Sequence, residues 1–389
     1  MLQTKEYLIP DYYAEFFCKG PDCRHTCCNG WHITISMAEY YRLLGIPCSK
    51  KLRRLLDTAF RPVDKPTKEC YAHIIPQGDA GCPLHREDGY CALQKECGEE
   101  LLPAVCRYYP RSPKHTYGCR CCCSNSCEKV VEILFEKESK MAFCIKPLTF
   151  SMPSFSRHAG AISEERFSNV QHQCIALLQE RSLPFYQRMV NVGYYLQQLH
   201  IDIQDASDSW KPHPFPSRTI LPDELGFILK TQHHVVDWFE HNSRNVLDFC
   251  ASAQRYYGID GLAELNETAA QEATRQYEKA RQHFNTLFPS WERMFEQILV
   301  NHILYEQFPY CETYKTPWDA FIAFCAVYSF IRFIALGYMA TRNSKKECVD
   351  LLASLFRLID HSNYDHNAIV LLKKESCMNP EKLFTLLKI

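Results

Sequence analysis

Cysteine is the residue in this chain with the most evident chemistry. The 389 residues include 22 cysteines, and fifteen of these fall within the first 127 positions. Thiolates bind metals, attack electrophiles and form disulfides, and the way the residues are grouped indicates which of these roles applies. The spacing of the cysteines therefore distinguishes between these roles.

Two groups of cysteines have spacings typical of metal-binding loops. The first group surrounds a Gly20-Pro21 turn, and the second begins at a Cys-Pro step and includes a Gly-Tyr turn. Seven thiols from these groups are the predicted metal ligands: Cys18, Cys23, Cys27, Cys28, Cys82, Cys91 and Cys106. We expect them to build one main metal site whose binding is coupled to folding.

The remaining cysteines receive no ligand role. A third dense group follows the predicted ligands, and its spacing assigns it no function: Cys119, Cys121, Cys122, Cys123 and Cys127. The seven cysteines beyond this group stand singly in apolar helical patterns. Such isolated cysteines are predicted to be buried thiols that pack like small apolar residues.

An iron-sulfur cluster, most simply of the 4Fe-4S type, is the metal group that the pattern favours. Such clusters take thiolates from irregular loops. Structural zinc is the alternative, but the two Cys-x2-Cys knuckles usual for zinc are absent. Thiols buried without metal are a third interpretation, which the density of cysteine disfavours. The Cys-x3-Cys-x2-Cys arrangement of radical enzymes is also absent.

Composition and charge restrict the compartment and the partners. Lysine and arginine total 44 against 45 acidic residues, so no basic field attracts nucleic acid. The first residues lack a secretory signal pattern, which predicts a cytoplasmic protein with reduced thiols. The apolar run from 318 to 339 contains Asp319 and Arg332, and we predict a buried helix instead of a membrane span. Neither nucleic acid nor a membrane is an expected partner.

The predicted fold is mainly α, with a small cysteine-rich metal-binding domain over 1–146 and a larger all-helical domain over 147–389. A capping box at Ser36 and Glu39 starts a helix that ends near Gly45, and further helices are predicted at 50–60 and 127–140. Periodicity of 3.6 residues predicts ten later helices, at 163–181, 183–200, 222–242, 243–257, 261–286, 290–307, 317–341, 345–360, 363–375 and 379–388. Prolines predict an extended loop over 202–222.

Catalytic residues are not indicated by any common motif. The chain lacks the glycine-rich nucleotide loops, the nucleophile elbow and the His-Glu-x-x-His zinc motif. Tyr108, Tyr109 and Trp31 lie next to cysteines and could contact a cationic substrate. Arg107 could pair with a carboxylate. Packing around a metal centre accounts for these four residues at least as well, so we assign no catalytic residue.

Several segments together resemble a known family. They include Tyr7 to Tyr13, Thr26 to Trp31, and Cys82-Pro83-Leu84 followed by Cys106 to Pro110. Further likeness lies at Asn301-His302, Phe308-Pro309, Tyr328 to Arg332 and Arg357 to His361. On these residues the chain resembles the flagellin lysine N-methylase family of flagellated bacteria. The cysteine part also resembles a broader group of cysteine domains that chelate zinc or iron.

The resemblance implies an activity that the residues alone do not. It implies transfer of methyl groups from S-adenosylmethionine to lysine amines of flagellin, without assigning the residues that bind the donor. An amine without its proton is already a nucleophile, so this transfer needs alignment and loss of a proton. The alternative is a non-catalytic iron-sulfur or zinc protein that acts as a redox sensor or a partner-docking module. Oligomeric state is not indicated.

Overall fold

The architecture comes from a computed structural model that describes residues 2–29, 33–75, 81–151, 162–201, 220, 222–239, 244–259, 267–311, 313–375, 377 and 379–389. These ranges contain fifteen α-helices and seven strands. The prediction of a mainly α protein, with a cysteine-rich first part and a larger helical second part, is confirmed. The predicted loop over 202–222 lies almost entirely outside the described residues.

Short elements make up the first part of the chain. Its strands are β1 (Leu2–Pro10), β2 (Thr34–Ile35), β3 (Phe60–Pro62), β4 (Ala72–Ile74), β5 (Arg111–Lys114), β6 (Arg120–Cys123) and β7 (Phe143–Ser151). Its helices are α1 (Met37–Gly45), α2 (Lys50–Ala59), α3 (Ala92–Cys97), α4 (Ala104–Tyr108) and α5 (Glu128–Glu136). Helices α1, α2 and α5 agree with the predictions, whereas most of the strands were not expected.

A four-stranded sheet in the order β5-β6-β1-β7 fixes where the cysteine loops begin. Strands β1 and β7 are antiparallel over their full length, from Leu2 opposite Ser151 to Pro10 opposite Phe143. The predicted domain limit between residues 146 and 147 lies inside β7. Strands β1 and β6 are parallel neighbours. Since parallel strands end at the same edge of a sheet, the segments that follow β1 and β6 start close together.

The second sheet, in the order β2-β4-β3, packs with α1 and α2 around a small apolar core. The predicted capping box is present at the start of α1. The Ser36 hydroxyl accepts the Glu39 N–H at 3.3 Å, and the Glu39 carboxylate accepts the Ser36 N–H at 2.9 Å. The other Glu39 oxygen accepts the N–H of Ala104 at 2.6 Å. One carboxylate therefore caps α1 and anchors α4, the helix that contains Cys106.

Helices form the second part of the chain, as the 3.6-residue periodicity predicted. They are α6 (Glu164–Leu178), α7 (Phe185–Ile201), α8 (Pro222–Phe239), α9 (Arg244–Tyr257), α10 (Glu267–Leu287), α11 (Trp291–Tyr305), α12 (Pro317–Met339), α13 (Lys345–His361), α14 (Tyr364–Lys374) and α15 (Pro380–Leu386). Each of the ten predicted helices corresponds to one of these. The observed ends are shorter by a few residues in most cases, since terminal turns depend on caps and contacts.

Helix α12 is the centre of the helical part. Within the described residues it is the one helix long and apolar enough to cross a membrane, and its apolar stretch is entirely buried. Arg332 on this helix is 1% exposed, and its guanidinium carbon lies 3.8 Å from the ring centroid of Trp291. A side-chain oxygen of Asn285 accepts from it at 3.2 Å. The aromatic ring and this hydrogen bond offset part of the cost of burying the charge, while Nε and Nη1 have no hydrogen-bond partner among the described residues.

A buried hydrogen-bond network joins the first sheet to α11. The Tyr12 hydroxyl donates to Oδ1 of Asn301 at 2.6 Å. The Asn301 amide nitrogen donates to the Cys123 carbonyl oxygen at 2.7 Å and to Oδ1 of Asn125 at 2.8 Å. Asn301 is fully buried. A single amide thus connects β6, which contains three members of the third cysteine group, to the helical part.

Replacing Asn301 with alanine should lower the free energy of unfolding by about 2–4 kcal/mol, because buried groups of the network lose their partner. Denaturant unfolding at an unchanged slope would measure this. The control is Asn343→Ala at an exposed loop position, which should change stability by less than about 0.5 kcal/mol. An equally small effect of the two substitutions would show that the network does not stabilise the fold.

Candidate functional site

One buried carboxylate, that of Glu128 at the start of α5, holds the loop that contains the first cysteines. It accepts the backbone N–H of Arg24 at 3.1 Å and that of His25 at 3.0 Å. The Lys19 ammonium donates to it at 2.6 Å. The Glu128 side chain is 1% exposed, so these bonds form away from water. Because Cys127 directly precedes Glu128, they also bring the loop against Cys127.

Four thiols meet at this point, and we call them the outer set: Cys18, Cys23, Cys27 and Cys127. Burial raises the pKa of Cys23 to about 12, and the nearby Cys127 and Cys18 thiols raise it further. Burial raises the pKa of Cys127 to about 11, and Cys18 adds to the effect. A hydrogen bond with Cys28 and then burial raise the pKa of Cys27, to which Cys106 of the neighbouring group and Cys127 also contribute. Such mutual effects require that the thiols lie close together.

A further four thiols form the inner set: Cys28, Cys82, Cys91 and Cys106. The Cys82 N–H donates to the Cys28 carbonyl oxygen at 2.9 Å, which brings the Cys-Pro loop to the first loop. His85 pairs with Cys91 in a β-bridge. Burial raises the pKa of Cys106 well above its ordinary value, and the Cys82, Cys28 and Cys91 thiols raise it further. The inner set is therefore also a compact group.

A tight glycine turn packs the two cysteine loops together. Gly89, between Cys82 and Cys91, has a φ of +78°, which favours glycine. A Cβ atom at this position would lie 2.8 Å from Cβ of Pro21 in the first loop. A larger residue would therefore separate the loops. The Gly-Tyr and Gly-Pro turns noted in the sequence are in direct contact in the structure.

The two sets touch where Cys27 and Cys28 are adjacent in the chain. A hydrogen bond from the Cys27 thiol lowers the pKa of Cys28 to about 6. The seven predicted ligands are thus distributed over two groups, whereas the sequence predicted one main site. Cys127, which the sequence left without a role, is the eighth thiol. The ligand role of these residues stays a prediction.

The spacing of the sulfurs bears on the choice between zinc and a cluster. Zinc–sulfur bonds of about 2.3 Å place the sulfurs of a tetrahedral site about 3.8 Å apart. Among the described residues, the one group of three or more metal-binding atoms that all lie within 4.8 Å of one another contains no cysteine. The thiols are therefore more widely spaced than a zinc tetrahedron. A cluster, whose thiolates bind different iron atoms, fits this wider spacing better.

Backbone N–H groups favour the thiolate at three of the eight sulfurs. Although burial raises the pKa of each, the N–H groups two and three residues further along the chain lower it. The pairs are Leu84 and His85 for Cys82, Leu93 and Gln94 for Cys91, and Lys129 and Val130 for Cys127. Hydrogen bonds to sulfur are a means by which proteins tune iron-sulfur clusters.

Other members of the third cysteine group have a different environment. Cys121, Cys122 and Cys123 lie in β6 and are buried in the main apolar core. Burial raises the pKa of Cys121 to about 12 and those of the other two well above their ordinary value. These thiols pack as apolar side chains and belong to neither set.

A buried polar cluster of His302, Glu306 and Asp360 lies where α11 ends and α13 ends. One donor atom of each residue lies within 4.8 Å of the others, and His302 Nδ1 lies 3.5 Å from Asp360 Oδ1. Apart from this contact with each other, neither of these two atoms has a hydrogen-bond partner among the described residues. The other Asp360 oxygen accepts from the Ser124 hydroxyl at 2.5 Å. The cluster therefore has buried acceptor capacity that the protein leaves unused.

Glu306 is poised to exchange a proton near neutral pH. Burial raises the pKa of its carboxyl group to about 7, and the negative charge of Asp365 contributes. The charge of the Lys114 ammonium acts in the opposite direction, and that ammonium lies 4.9 Å from the Tyr305 ring centroid. The surroundings thus already hold a lysine side chain, and a general base with a pKa near the working pH is the most effective kind.

Arg357 connects the cysteine loops to α13. Its guanidinium donates to the carbonyl oxygens of His25, Asn29 and Ser126, the last two at 3.5 and 3.4 Å. Asp360 follows one turn later on the same helix. The backbone around both cysteine sets is therefore tied to the helix that supplies part of the polar cluster.

Comparison with known proteins identifies the family to which this chain belongs. A sequence profile described as the FliB lysine N-methylase C-terminal domain matches residues 171–386, more than half of the chain. The chain belongs to the FliB lysine N-methylase family. The resemblance inferred from the sequence is confirmed. No solved structure matches the chain.

Relatives of this FliB family member include three proteins of Salmonella. A "Lysine-N-methylase" of Salmonella choleraesuis (strain SC-B67) is 30% identical over 149 residues, which are 36% of this chain and 35% of the relative. That of Salmonella typhimurium (strain LT2) is 28% identical over 141 residues, 36% of this chain and 35% of the relative. A "Flagellar biosynthetic protein FliU" of Salmonella muenchen is 28% identical over 152 residues, 39% of this chain and 85% of the relative. The match thus spans about a third of each lysine-N-methylase relative.

The FliB profile covers the polar cluster but not the cysteines. His302, Glu306 and Asp360 all lie within residues 171–386, and the eight thiols all precede this range. In the sequence, His302 and Asp360 lie in segments that carry the family resemblance, and no motif singles out Glu306. The His302-x3-Glu306 spacing, which places both side chains on one helix face, was the available signal.

The aromatic candidates near the cysteines pack as structural residues. The Tyr108 ring lies 5.1 Å from that of Phe150, edge to face, and the Arg107 guanidinium lies 5.7 Å from the Tyr108 ring. Tyr109 is partly buried, and its hydroxyl is 3.0 Å from the Ser126 hydroxyl. Trp31 lies outside the described residues. The polar cluster is therefore the better candidate for catalysis within this member of the FliB family.

Proposed function

We propose that this protein methylates lysine side chains of flagellin, with S-adenosylmethionine as the methyl donor, in the bacterial cytoplasm. The observation that supports the proposal is membership of the FliB lysine N-methylase family through residues 171–386. The names of the relatives, "Lysine-N-methylase" and "Flagellar biosynthetic protein FliU", support a lysine acceptor and a flagellar context. Flagellin as the substrate and the identity of the donor belong to the proposal.

In the proposed reaction the lysine amine attacks the methyl carbon of the donor sulfonium. A carbon–nitrogen bond forms, the carbon–sulfur bond breaks, and S-adenosylhomocysteine leaves. The attacking amine must first lose the proton of its ammonium form, because only the free amine has a lone pair. We assign Glu306 as the acceptor of this proton, since its carboxyl group has a pKa of about 7. His302, whose charge lowers the pKa of Glu306, would offset the negative charge of the ionised carboxylate, and Asp360 would orient His302.

We further propose that the inner set holds an iron-sulfur cluster of the 4Fe-4S type. Four thiols from three loops match the number of thiolates that such a cluster takes, and backbone N–H groups face two of the sulfurs. When bound, the cluster would cross-link the loops and could transfer electrons. Cys28, Cys82, Cys91 and Cys106 would hold it. Zinc in place of the cluster is the alternative that metal analysis would reveal.

The decisive test combines anaerobically purified protein, purified flagellin and isotopically labelled S-adenosylmethionine. We expect label on lysine-containing peptides, detected by mass spectrometry as gains of one methyl group. Flagellin whose lysines have been acetylated beforehand is the control and should gain none. If metal-replete protein neither binds the donor nor labels flagellin, a non-catalytic metalloprotein that senses redox state or docks a partner replaces the enzyme.

A further inference from the structure

We propose that the outer set, Cys18, Cys23, Cys27 and Cys127, is a second metal centre with four thiolate ligands, separate from the inner set. The sequence indicated a single site, and the FliB profile begins at residue 171, after all four of these cysteines. The inference rests on how the structure brings Cys127 to the first cysteine loop. It does not depend on the proposed methyl transfer.

The parallel pairing of β1 and β6 brings the first cysteine loop close to Cys127. The chain leaves β1 toward Cys18 and leaves β6 toward Cys127, and both segments start from one edge of the sheet. Glu128 then fixes the distance between them, because it accepts two backbone N–H groups of the first loop. Two segments that are about 100 residues apart in sequence are thus locked together at their cysteines.

The number of thiols is sufficient for two metal sites. A single metal ion or cubane cluster takes four thiolates, and eight thiols are gathered here. The Cys82 N–H donates to the Cys28 carbonyl oxygen at 2.9 Å and joins two segments of the inner set. Glu128, next to Cys127, instead accepts the N–H groups of Arg24 and His25, which lie between Cys23 and Cys27. Each set therefore supplies one complete four-thiolate site. The adjacent residues Cys27 and Cys28 contribute one ligand to each.

Cationic side chains lie next to the outer set. Four thiolates concentrate negative charge that the protein must offset, as at other metal sites. The Lys19 ammonium, next to Cys18, donates to Glu128 at 2.6 Å, and the Arg357 guanidinium donates to the carbonyl oxygen of Ser126, next to Cys127, at 3.4 Å. Arg24 adjoins Cys23 and forms ion pairs with Glu132 and Asp350. The outer set is thus surrounded by cations that suit a thiolate-bound metal.

Metal analysis of two single variants tests the proposal without measuring activity. Cys127→Ser and Cys91→Ser should each retain about half of the metal of the anaerobically purified wild-type protein, and the double variant should retain almost none. Cys174→Ser, at a buried thiol of α6 outside both sets, should retain all of it. Iron with an equal amount of sulfide would identify clusters, and zinc without sulfide would identify zinc centres. Either composition supports two centres if each single variant retains about half of the metal of the wild-type protein.

Full metal content in Cys127→Ser would overturn the second centre. The second centre would also be excluded if each single variant lost all of its metal and the wild-type protein contained only the metal of one centre. Should a variant be insoluble, the wild-type protein alone decides the matter. Two clusters per chain require about eight iron atoms and eight sulfides, and one cluster requires about four of each. Two zinc ions against one distinguish the same outcomes for zinc.

Discussion

Replacing Cys82 and Cys106 together with serine is expected to remove at least half of the bound metal and most of the soluble protein. Both thiols belong to the inner set and come from different segments of the chain, the Cys-Pro loop and α4, which the metal would hold together. Binding free energy is folding free energy in such a site, so the loss of two ligands should destabilise the cysteine-rich part by several kcal/mol. Iron, sulfide and zinc analysis of the soluble fraction, together with its yield, would measure this.

A matched control is available in the same small core. Cys97 ends α3 and packs against that core, but it belongs to neither set. Cys97→Ser should therefore keep the metal content and the yield of the wild-type protein. Full metal content in the Cys82→Ser, Cys106→Ser double variant would exclude the inner set as a metal site.

Replacing Glu306 with glutamine is expected to lower the rate of lysine methylation by about 100-fold or more, the usual contribution of a general base. The pH dependence makes the test specific. The base must be ionised to accept a proton, so the wild-type rate should rise with pH through about 7 and then level off. The glutamine variant should lose this rise. Initial rates at saturating flagellin and donor, measured from pH 6 to pH 9, would show both effects.

Unfolding of the Glu306→Gln variant would not explain a loss of its activity. The pKa of Glu306 is raised in the folded protein, so the unfolded chain releases its proton at lower pH, and ionisation of this residue costs stability as pH rises from about 4.5 to about 7. Glutamine removes that cost, and the variant should be at least as stable as wild type at pH 8. Glu347→Gln, at an exposed position on α13, is the control and should retain full activity. An unchanged rate and pH profile in Glu306→Gln would exclude it as the base.

Helices were predictable from the sequence because their signals are local. The capping box at Ser36 and the apolar periodicity of α12 gave elements within a few residues of those observed. Strands β1 and β7 gave no such signal. Residues Gln3 to Glu6 are polar on both faces, and their partners lie about 140 positions away, so only the tertiary structure defines the pairing. The predicted limit at residue 146 falls in β7 for this reason.

The candidate site was predictable only in part. The density of cysteine identified seven thiols as ligands, but their distribution over two sets depends on the sheet pairing and on Glu128. Cys127 could not be distinguished from Cys121 by spacing, although one lies beside the first loop and the other is buried in the apolar core. Glu306 gains its raised pKa from burial in the folded chain, which no short motif reports.

The three carbonyl contacts of Arg357 suggest an order of events during biogenesis. Until the cysteine loops close, these oxygens have no fixed positions, and the end of α13 with Asp360 lacks its anchor. Polypeptide that has not yet received its metal should therefore be catalytically silent even if its helices have formed. With the proposed flagellin substrate and iron-sulfur cluster, iron starvation or oxygen stress would then lower the methylation of the filament protein, with no change in the amount of enzyme made.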